Sequence, residues 1–229
     1  APLHPWLAWV RRALVPRAEE QANASSAASA APVASWPGEW CVIALAFVAL
    51  TLMMTWQQLA SPFAVGDTGD PLFSIWRLSW VAHQLPRDPL RLFDGNIFYP
   101  ELRTLAYSDA MLATALMAAP LLWLGVHQVL VYNVVLLVSF AASGIAMYAL
   151  VRALTGDRAA AFVAGVAFAF YPFRFEHYSH LELQVTFWMP LALLMMHRTM
   201  ATGRARDGAV TGLLVALQTL SSLYCGLYL

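Results

Sequence analysis

The most prominent pattern in the sequence is a series of long apolar stretches separated by short polar connections. A helix needs about 20 residues to cross a bilayer, and each stretch approaches that length, two of them with the help of flanking aromatic or amphipathic residues. The pattern therefore predicts an all-α, polytopic transmembrane helix bundle. The predicted spanning helices cover residues 40–57, 129–150, 159–173, 185–196 and 209–229.

A further apolar stretch, residues 110–125, is shorter and is interrupted by Pro120. If it spans the membrane, the Arg-bearing connections "VRALTGDR" and "HRTMATGRARDG" lie outside and "FRFEHYSHLELQ" lies inside. If it only lies along or dips into the membrane, both Arg-bearing connections lie inside with the N-terminal arginines. Cytoplasmic loops carry an excess of Lys and Arg, which favours the second arrangement, whereas hydropathy alone favours the first.

In the second arrangement, residues 61–128 form a first external loop that is longer than a simple connection requires. Within it, Asp70 followed by proline is typical of the cap and first turn of a helix, so we predict a juxtamembrane helix over "PLFSIWRLSWVAHQL". The apolar face of this helix is predicted to meet lipid. Ser74 and Arg77 are predicted to face outward.

The composition agrees with a membrane protein, because 60% of the residues are hydrophobic, 11% are charged and the mean hydropathy is +0.61. With 13 basic and 13 acidic residues the net charge is zero, so nothing indicates a nucleic-acid partner. Cys41 and Cys225 lie in apolar segments and are predicted to be small buried side chains rather than a disulfide or metal pair.

Residues 1–39 contain an Ala/Ser/Pro tract without periodicity and are predicted to be a disordered or interfacial cytoplasmic tail. Within them, "WLAWVRRALVPR" is able to form a short helix at the membrane surface. The first apolar stretch starts near residue 40, too far from these charges and too long for a signal peptide. The chain begins without Met and stops inside an apolar segment, so we expect a fragment of a longer protein.

Several segments together resemble one known class of membrane proteins. They are "GDTGDPLFSIWRLSWVAHQL", "NIFYP", "TLAYSD", "YPFRFEHYSHLE" and "WMPLALL". With one helix after a short N-terminus and an acidic motif opening the first external loop, the chain resembles an uncharacterised bacterial branch of the polytopic GT-C glycosyltransferases. The resemblance covers residues 40–229, which we expect to be the N-terminal, transmembrane part of such an enzyme.

The resemblance implies transfer of a sugar from a polyprenyl-phosphate carrier to a glycan, lipid or protein acceptor. The reaction would take place on the periplasmic face of the bacterial inner membrane, with the N-terminus in the cytoplasm. Some members of the class also bind a divalent metal such as Mg²⁺ or Mn²⁺, which stays an open alternative. Other functions to weigh are a transporter or flippase for lipid-linked sugars, which would need ionisable residues inside its spans, and a non-catalytic assembly subunit.

The motif "GDTGD" at residues 66–70 supplies two candidate catalytic carboxylates, Asp67 and Asp70. In the class, an acidic residue at this place is the catalytic group, and a carboxylate there is able to orient and deprotonate an acceptor hydroxyl. Asp67 is the first choice, because Asp70 has the alternative role of capping the following helix. Asp109 is either a further acidic group of the substrate site or a helix-stabilising residue.

The segment "YPFRFEHYSHLE" supplies candidate positive charge for the phosphate that leaves with the carrier. The residues are Arg174, His177 and His180. As an alternative, the histidines and Glu182 are able to bind a metal together with Asp67, or they are simply solvated or hydrogen-bonded to each other at a helix exit.

Overall fold

The computed structural model describes residues 37–229, and all regular secondary structure in that range is helical. The predicted all-α class is therefore confirmed for these residues. Apart from two short 3₁₀ turns, Pro89–Arg91 and Thr104–Tyr107, the helices are α1 (Glu39–Met54), α2 (Trp56–Ala60), α3 (Asp70–Gln84), α4 (Leu112–Trp123), α5 (Gln128–Thr155), α6 (Arg158–Ala169), α7 (Pro172–Glu176), α8 (Leu181–Gln184), α9 (Trp188–Thr202), α10 (Ala205–Ser221) and α11 (Leu223–Leu227). The predicted tail, including its interfacial helix, lies outside the described residues except at its last positions.

Two segments of the described chain are long and apolar enough to cross a membrane, judged by length and composition. They are Gln128–Thr155 and Arg158–Glu176, the second of which joins α6 and α7 across a break at residues 170–171. Helices α1 and α4 are apolar but shorter, with 16 and 12 residues. At 1.5 Å per residue α4 is about 18 Å long, well below the roughly 30 Å of a hydrocarbon core.

Helix α5 is the centre of the fold and packs against α1, α3, α4, α6 and α9. Its 28 residues give it a length of about 42 Å. Small side chains on the buried face let its neighbours approach closely, and an added Cβ at Gly144 would clash with the Phe47 ring from α1. The same ring fills the space in front of Gly165 on α6. These two glycines therefore set the distance at which α1, α5 and α6 pack.

Short connections hold the helices in antiparallel pairs. Helix α5 ends at Gly156, whose positive φ of 73° an L side chain rarely adopts, and Asp157 then caps α6. One oxygen of Asp157 accepts hydrogen bonds from the backbone N–H groups of Ala159 and Ala160, at 2.7 and 3.1 Å. Helices α9 and α10 are joined through Gly203, whose φ of 65° is also positive, but no side chain caps the start of α10.

A buried carboxylate fixes the end of the bundle where α5 meets α6. Glu39, the first residue of α1, is 2% exposed and accepts hydrogen bonds from Tyr148 at 2.7 Å, Arg152 at 3.0 Å and Arg158 at 3.1 Å. A buried carboxylate is tolerated only when its charge is paired and its oxygens are hydrogen-bonded, as they are here. The start of α1, the end of α5 and the start of α6 are thereby joined.

The helix predicted after the acidic motif is present, since α3 runs from Asp70 to Gln84, but its predicted orientation is wrong. Ser74 and Arg77, predicted to face outward, are 0% and 1% exposed, whereas Leu72 is 45% exposed. The reason is that Arg77 finds a carboxylate inside the fold, which hydropathy cannot reveal.

Both cysteines are free, as predicted, but Cys41 is exposed because only one side of α1 packs against the bundle.

Candidate functional site

The residues of the predicted acidic motif meet the segment 177–182 at the opposite end of α5 from Glu39. Asp67 is exposed in the loop between α2 and α3. One carboxylate oxygen accepts a hydrogen bond from the Gly69 N–H at 2.8 Å, and the other accepts a short hydrogen bond from the Ser179 hydroxyl. These two donors, Ser179 first, lower the pKa of Asp67, so it is a stable carboxylate at neutral pH.

Asp70 stands beside this pair but does not cap its helix, so the predicted capping role is wrong. The N-cap position is Gly69, and no side chain donates or accepts a capping hydrogen bond there. The Asp70 carboxylate instead contacts Nε2 of His180 at 3.0 Å, in a partly exposed pair. The His177 ring lies 5.6 Å from the His180 ring, centroid to centroid. The site therefore has a second carboxylate that orients an imidazole.

Arg77 lies buried beneath these exposed groups, with its side chain 1% exposed. Its guanidinium donates to Glu182 at 3.0 Å, to Ser74 at 2.8 Å and to the backbone oxygen of Asp109 at 2.9 Å, and it stacks over the Phe73 ring at 4.6 Å. The pair joins α3 to α8. Because α3 begins at the acidic motif and α8 follows the histidines, this buried pair fixes the two halves of the site against each other.

The predicted substrate-binding residues divide into two groups. His177 and His180 lie at the acidic motif, whereas Arg174 and Asp109 are engaged elsewhere. The Asp109 carboxylate accepts hydrogen bonds from the Leu223 N–H at 2.9 Å and from the Ser222 hydroxyl at 3.5 Å, which ties it to the start of α11.

Arg174 is 1% exposed and donates to the side chain and the backbone oxygen of Gln184, at 3.0 and 2.6 Å. Its guanidinium also lies over the Phe140 ring, 4.3 Å from the centroid. Arg174 is therefore held inside the fold rather than presented at the surface with the histidines. Its role in substrate binding stays a prediction.

A cavity of about 410 Å³ is lined by Gly66, the residue before Asp67. Its walls combine neutral polar groups, among them Thr55, Gln58 and the backbone of Gly66, with the aromatic rings of Phe175 and Tyr178. Burial raises the pKa of Tyr178 to about 12, and its hydroxyl has no hydrogen-bond partner within residues 37–229. The cavity therefore offers hydrogen bonds and aromatic faces without charge, which suits an uncharged ligand that carries hydroxyl groups.

The side chains do not form a metal site. Across the described part of the chain, no group of three or more His, Cys, Asp or Glu side chains is arranged to hold an ion. The two oxygens of Asp67 accept hydrogen bonds from Gly69 and Ser179, and Glu182 is paired with Arg77. The residues thus do not fit the divalent ion that the resemblance left open, and we assign no step to one.

Sequence reasoning missed Ser179, Arg77 and Tyr178. Ser179 is 112 residues away from Asp67, and nothing in its neighbourhood marks it as a partner. Arg77 carried a usable signal, because an arginine inside an apolar stretch needs a buried partner or a route to water.

Comparisons with known proteins do not extend this description. No family model matches the chain, no curated protein matches it, and no solved structure matches it.

Proposed function

We propose that this protein is a polytopic membrane glycosyltransferase of the GT-C type, which moves a sugar from a polyprenyl-phosphate carrier to an acceptor hydroxyl. The observation that carries the proposal is Asp67, an ionised and exposed carboxylate that already accepts a short hydrogen bond from an alcohol, Ser179. It lies at one end of apolar helices, beside the uncharged cavity that contains Tyr178. An acceptor hydroxyl would take the place of the Ser179 hydroxyl.

The exposed surface supports a location in the membrane. Helix α1 leaves large apolar side chains uncovered, including Trp40 at 48%, Leu45 at 68% and Met53 at 59% exposure. Contiguous apolar surface of this kind needs lipid or a partner to cover it. We infer that α1, α9 and α10 cross the bilayer with α5 and α6, with tilt and flanking residues making up their shorter length.

The positions of the two polar clusters support one topology. Tyr132 donates a hydrogen bond to the backbone oxygen of Ser179 at one end of α5, and Arg152 binds Glu39 at the other. About 20 residues of helix separate Tyr132 from Arg152, or about 30 Å, which is the thickness of a hydrocarbon core. The acidic motif and the arginines would then face opposite sides of a bacterial inner membrane.

The short α4 favours the arrangement in which residues 61–128 stay on one side of the membrane. In that arrangement the acidic motif and the segment 177–182 share a side, as the hydrogen bond between Asp67 and Ser179 requires. If residues 110–125 spanned, those two segments would lie on opposite sides. The arginine-rich end would be cytoplasmic, together with the N-terminus, and the site would be periplasmic.

The chemistry assigned to the site is a displacement at the anomeric carbon of the donor sugar. The acceptor oxygen forms a new bond to that carbon, while the bond to the phosphate oxygen breaks and its electron pair leaves with the polyprenyl phosphate. Asp67 receives the acceptor's proton. Its lowered pKa makes it a weak base, so it mainly orients the acceptor and takes the proton late, when the attacking hydroxyl has become acidic.

The departing phosphate needs positive charge more than it needs a proton. His177 and His180 are the groups placed to provide it, and Asp70 holds His180 in position through their contact at 3.0 Å. In this assignment Asp70 is a positioning residue. Arg174 and Asp109 act through the helices they fix, α8 and α11.

The deciding experiment is transfer of a lipid-linked sugar by the purified full-length protein in lipid nanodiscs. Asp67→Asn keeps the shape of the side chain and removes its charge, so we expect transfer to fall by roughly 100-fold, the scale of losing a positioned base. The matched control is Asp157→Asn at the other end of α5, where asparagine caps α6 equally well. Full activity in Asp67→Asn would refute the assignment. Lack of transfer by the wild type with every polyprenyl-phosphate sugar would favour the transporter or assembly-subunit function instead.

The topology has its own test by labelling of single cysteines in intact cells. After Cys41 and Cys225 are replaced by serine, Glu176→Cys should react with an impermeant maleimide, because this exposed residue lies on the side of the acidic motif. Ala201→Cys, also exposed, lies near the end of α9 on the arginine-rich side and should react only after the membrane is opened. The opposite pattern would invert the proposed orientation, and labelling of both would contradict the topology.

A further inference from the structure

A second cavity, of about 560 Å³, lies where the end of α3 meets the turn between α4 and α5. The 15 residues of α3 span about 22 Å, and its other end begins at the acidic motif, so this cavity is separate from the Asp67 site. Its polar lining consists of Ser79, His83, Arg87, His127 and Gln128. Neither the sequence pattern nor the proposed transfer reaction assigns a role to these residues.

The lining is cationic, and no Asp or Glu lines the cavity. Arg87 is exposed and donates to the backbone oxygen of His83 at 2.8 Å, and it has no ion-pair partner in the described part of the chain. The neighbouring carboxylate, Asp88, pairs instead with Arg91 at 3.8 Å. The positive charge of Arg87 is thus left for a ligand.

The start of α5 adds to this positive field. The helix is 28 residues long and has no acidic residue in its first turn, so the positive end of its dipole is not offset from within. His127 is the N-cap residue, and its Nδ1 accepts a hydrogen bond from the Val129 N–H at 3.3 Å. With Nδ1 accepting, Nε2 carries the proton and is a hydrogen-bond donor.

We propose that this cavity binds a phosphate group. A guanidinium fork matches two phosphate oxygens, and the imidazoles and the N–H groups of the Gln128 amide supply further donors for the rest. The Ser79 hydroxyl donates to Gln128 Oε1 at 3.0 Å, which fixes the orientation of that amide. The apolar part of the wall comes from Leu122, Val126 and Trp123, whose side chain is 57% exposed and lies at the rim. This wall accommodates carbon attached to the phosphate. The phosphate comes either from the headgroup of an anionic phospholipid or from a soluble phosphate ester, and the inference does not depend on glycosyl transfer.

The test measures binding of two probes to the purified full-length protein. The first is phosphatidylglycerol at increasing fraction in phosphatidylcholine nanodiscs, with bound lipid counted by native mass spectrometry after release. The second is inorganic phosphate, followed by calorimetry in a neutral detergent. Saturable binding of lipid alone identifies a headgroup site, and saturable binding of inorganic phosphate identifies a site for a soluble ester.

The variants separate this cavity from general surface charge. Arg87→Gln should weaken binding of the preferred probe by roughly tenfold or more, the scale of losing a charge-assisted hydrogen bond, and Arg87→Lys should lose less. His127→Asn retains a capping side chain and should also weaken binding. The matched control is Arg91→Gln, an exposed arginine of the same loop outside the cavity, which should bind as the wild type does. Equal binding by Arg87→Gln, equal losses in Arg91→Gln, or no saturable binding of either probe would each overturn the proposal.

Discussion

Removal of the partly buried carboxylate of Glu182 is the perturbation whose effect on the free energy of unfolding the structure specifies best. Its partner Arg77 is 1% exposed, and Glu182 itself is 13% exposed. Loss of one member of a buried pair costs about 3–5 kcal/mol, because the other charge is left in a poorly solvated place. Arg77 keeps three further acceptors, which are the Ser74 hydroxyl, the Asp109 backbone oxygen and, at 3.5 Å, the Ser108 hydroxyl, and it also keeps the Phe73 ring. We therefore expect Glu182→Ala to lower the free energy of unfolding by about 3 kcal/mol, at the lower end of that range.

Two further substitutions test the reasoning. Glu182→Gln keeps an oxygen acceptor and loses only the charge, so it should cost about 1–2 kcal/mol. In the double variant Arg77→Met/Glu182→Leu both charges are gone. Its loss in free energy of unfolding should therefore be smaller, by about 1–3 kcal/mol, than the summed losses of the single variants Arg77→Met and Glu182→Leu.

The assay is equilibrium unfolding of the purified protein in mixed detergent micelles, followed by circular dichroism. The internal control is the exposed pair of Asp88 and Arg91, whose side chains are 45% and 75% exposed and 3.8 Å apart. Asp88→Ala should cost no more than about 1 kcal/mol. If Glu182→Ala costs no more than Asp88→Ala, or if Arg77 and Glu182 behave additively, the buried pair does not hold α3 against α8.

Two other substitutions probe different parts of the molecule. Ser179→Ala removes the main donor that lowers the pKa of Asp67, so that pKa should rise toward its ordinary value and the acidic limb of the kcat/KM profile should move to higher pH. The stability that comes from the lowered pKa of Asp67 is present at neutral pH and is lost as the pH falls through the folded-state pKa, so Ser179→Ala should lose less stability on acidification than the wild type. If the acidic limb of the kcat/KM profile does not move, Asp67 is not the group whose ionisation limits the rate. Gly144→Ala should destabilise the protein in micelles by about 1–3 kcal/mol through its clash with Phe47, whereas Gly212→Ala, with nothing within 4 Å, should be neutral or stabilising by up to about 1 kcal/mol. Equal effects at both glycines would contradict the packing described for α1.

Those features of the fold that depend on local periodicity could be predicted from the sequence. The helical class and the apolar stretch that becomes α5 follow from long runs of apolar residues. In such a run, a helix is the structure that pairs all backbone N–H and C=O groups within the segment itself, without water. The start of α3 at Asp70 follows from the acidic residue and the proline after it, even though the carboxylate does not serve as a cap. Local composition determines that a helix forms there, but it does not determine what each side chain meets.

The arrangement of the site was beyond local reasoning because its pairs are remote in the chain. Arg77 and Glu182 are 105 residues apart, and the choice between an outward and an inward arginine depends on that one carboxylate. The same holds for Arg174, which the sequence places beside two histidines, while the fold turns it inward onto Gln184. Polar residues next to each other in sequence point in different directions on a helix turn, so a motif does not establish a site.

The buried pair also bears on how the two proposed binding places relate. Helix α3 carries Asp70 at one end, and His83, near its other end, lines the cavity of about 560 Å³ for which we propose phosphate binding. A ligand at one end can influence the other only through two arrangements of the element between them that it binds with different affinity. Arg77 lies near the middle of α3 and is held by a carboxylate, a hydroxyl, a backbone oxygen and an aromatic ring, so a second arrangement would have to break a buried ion pair. Because breaking this ion pair costs free energy, α3 is a rigid helix with one arrangement. We infer that phosphate bound at the cavity near His83 leaves the geometry at Asp67 unchanged.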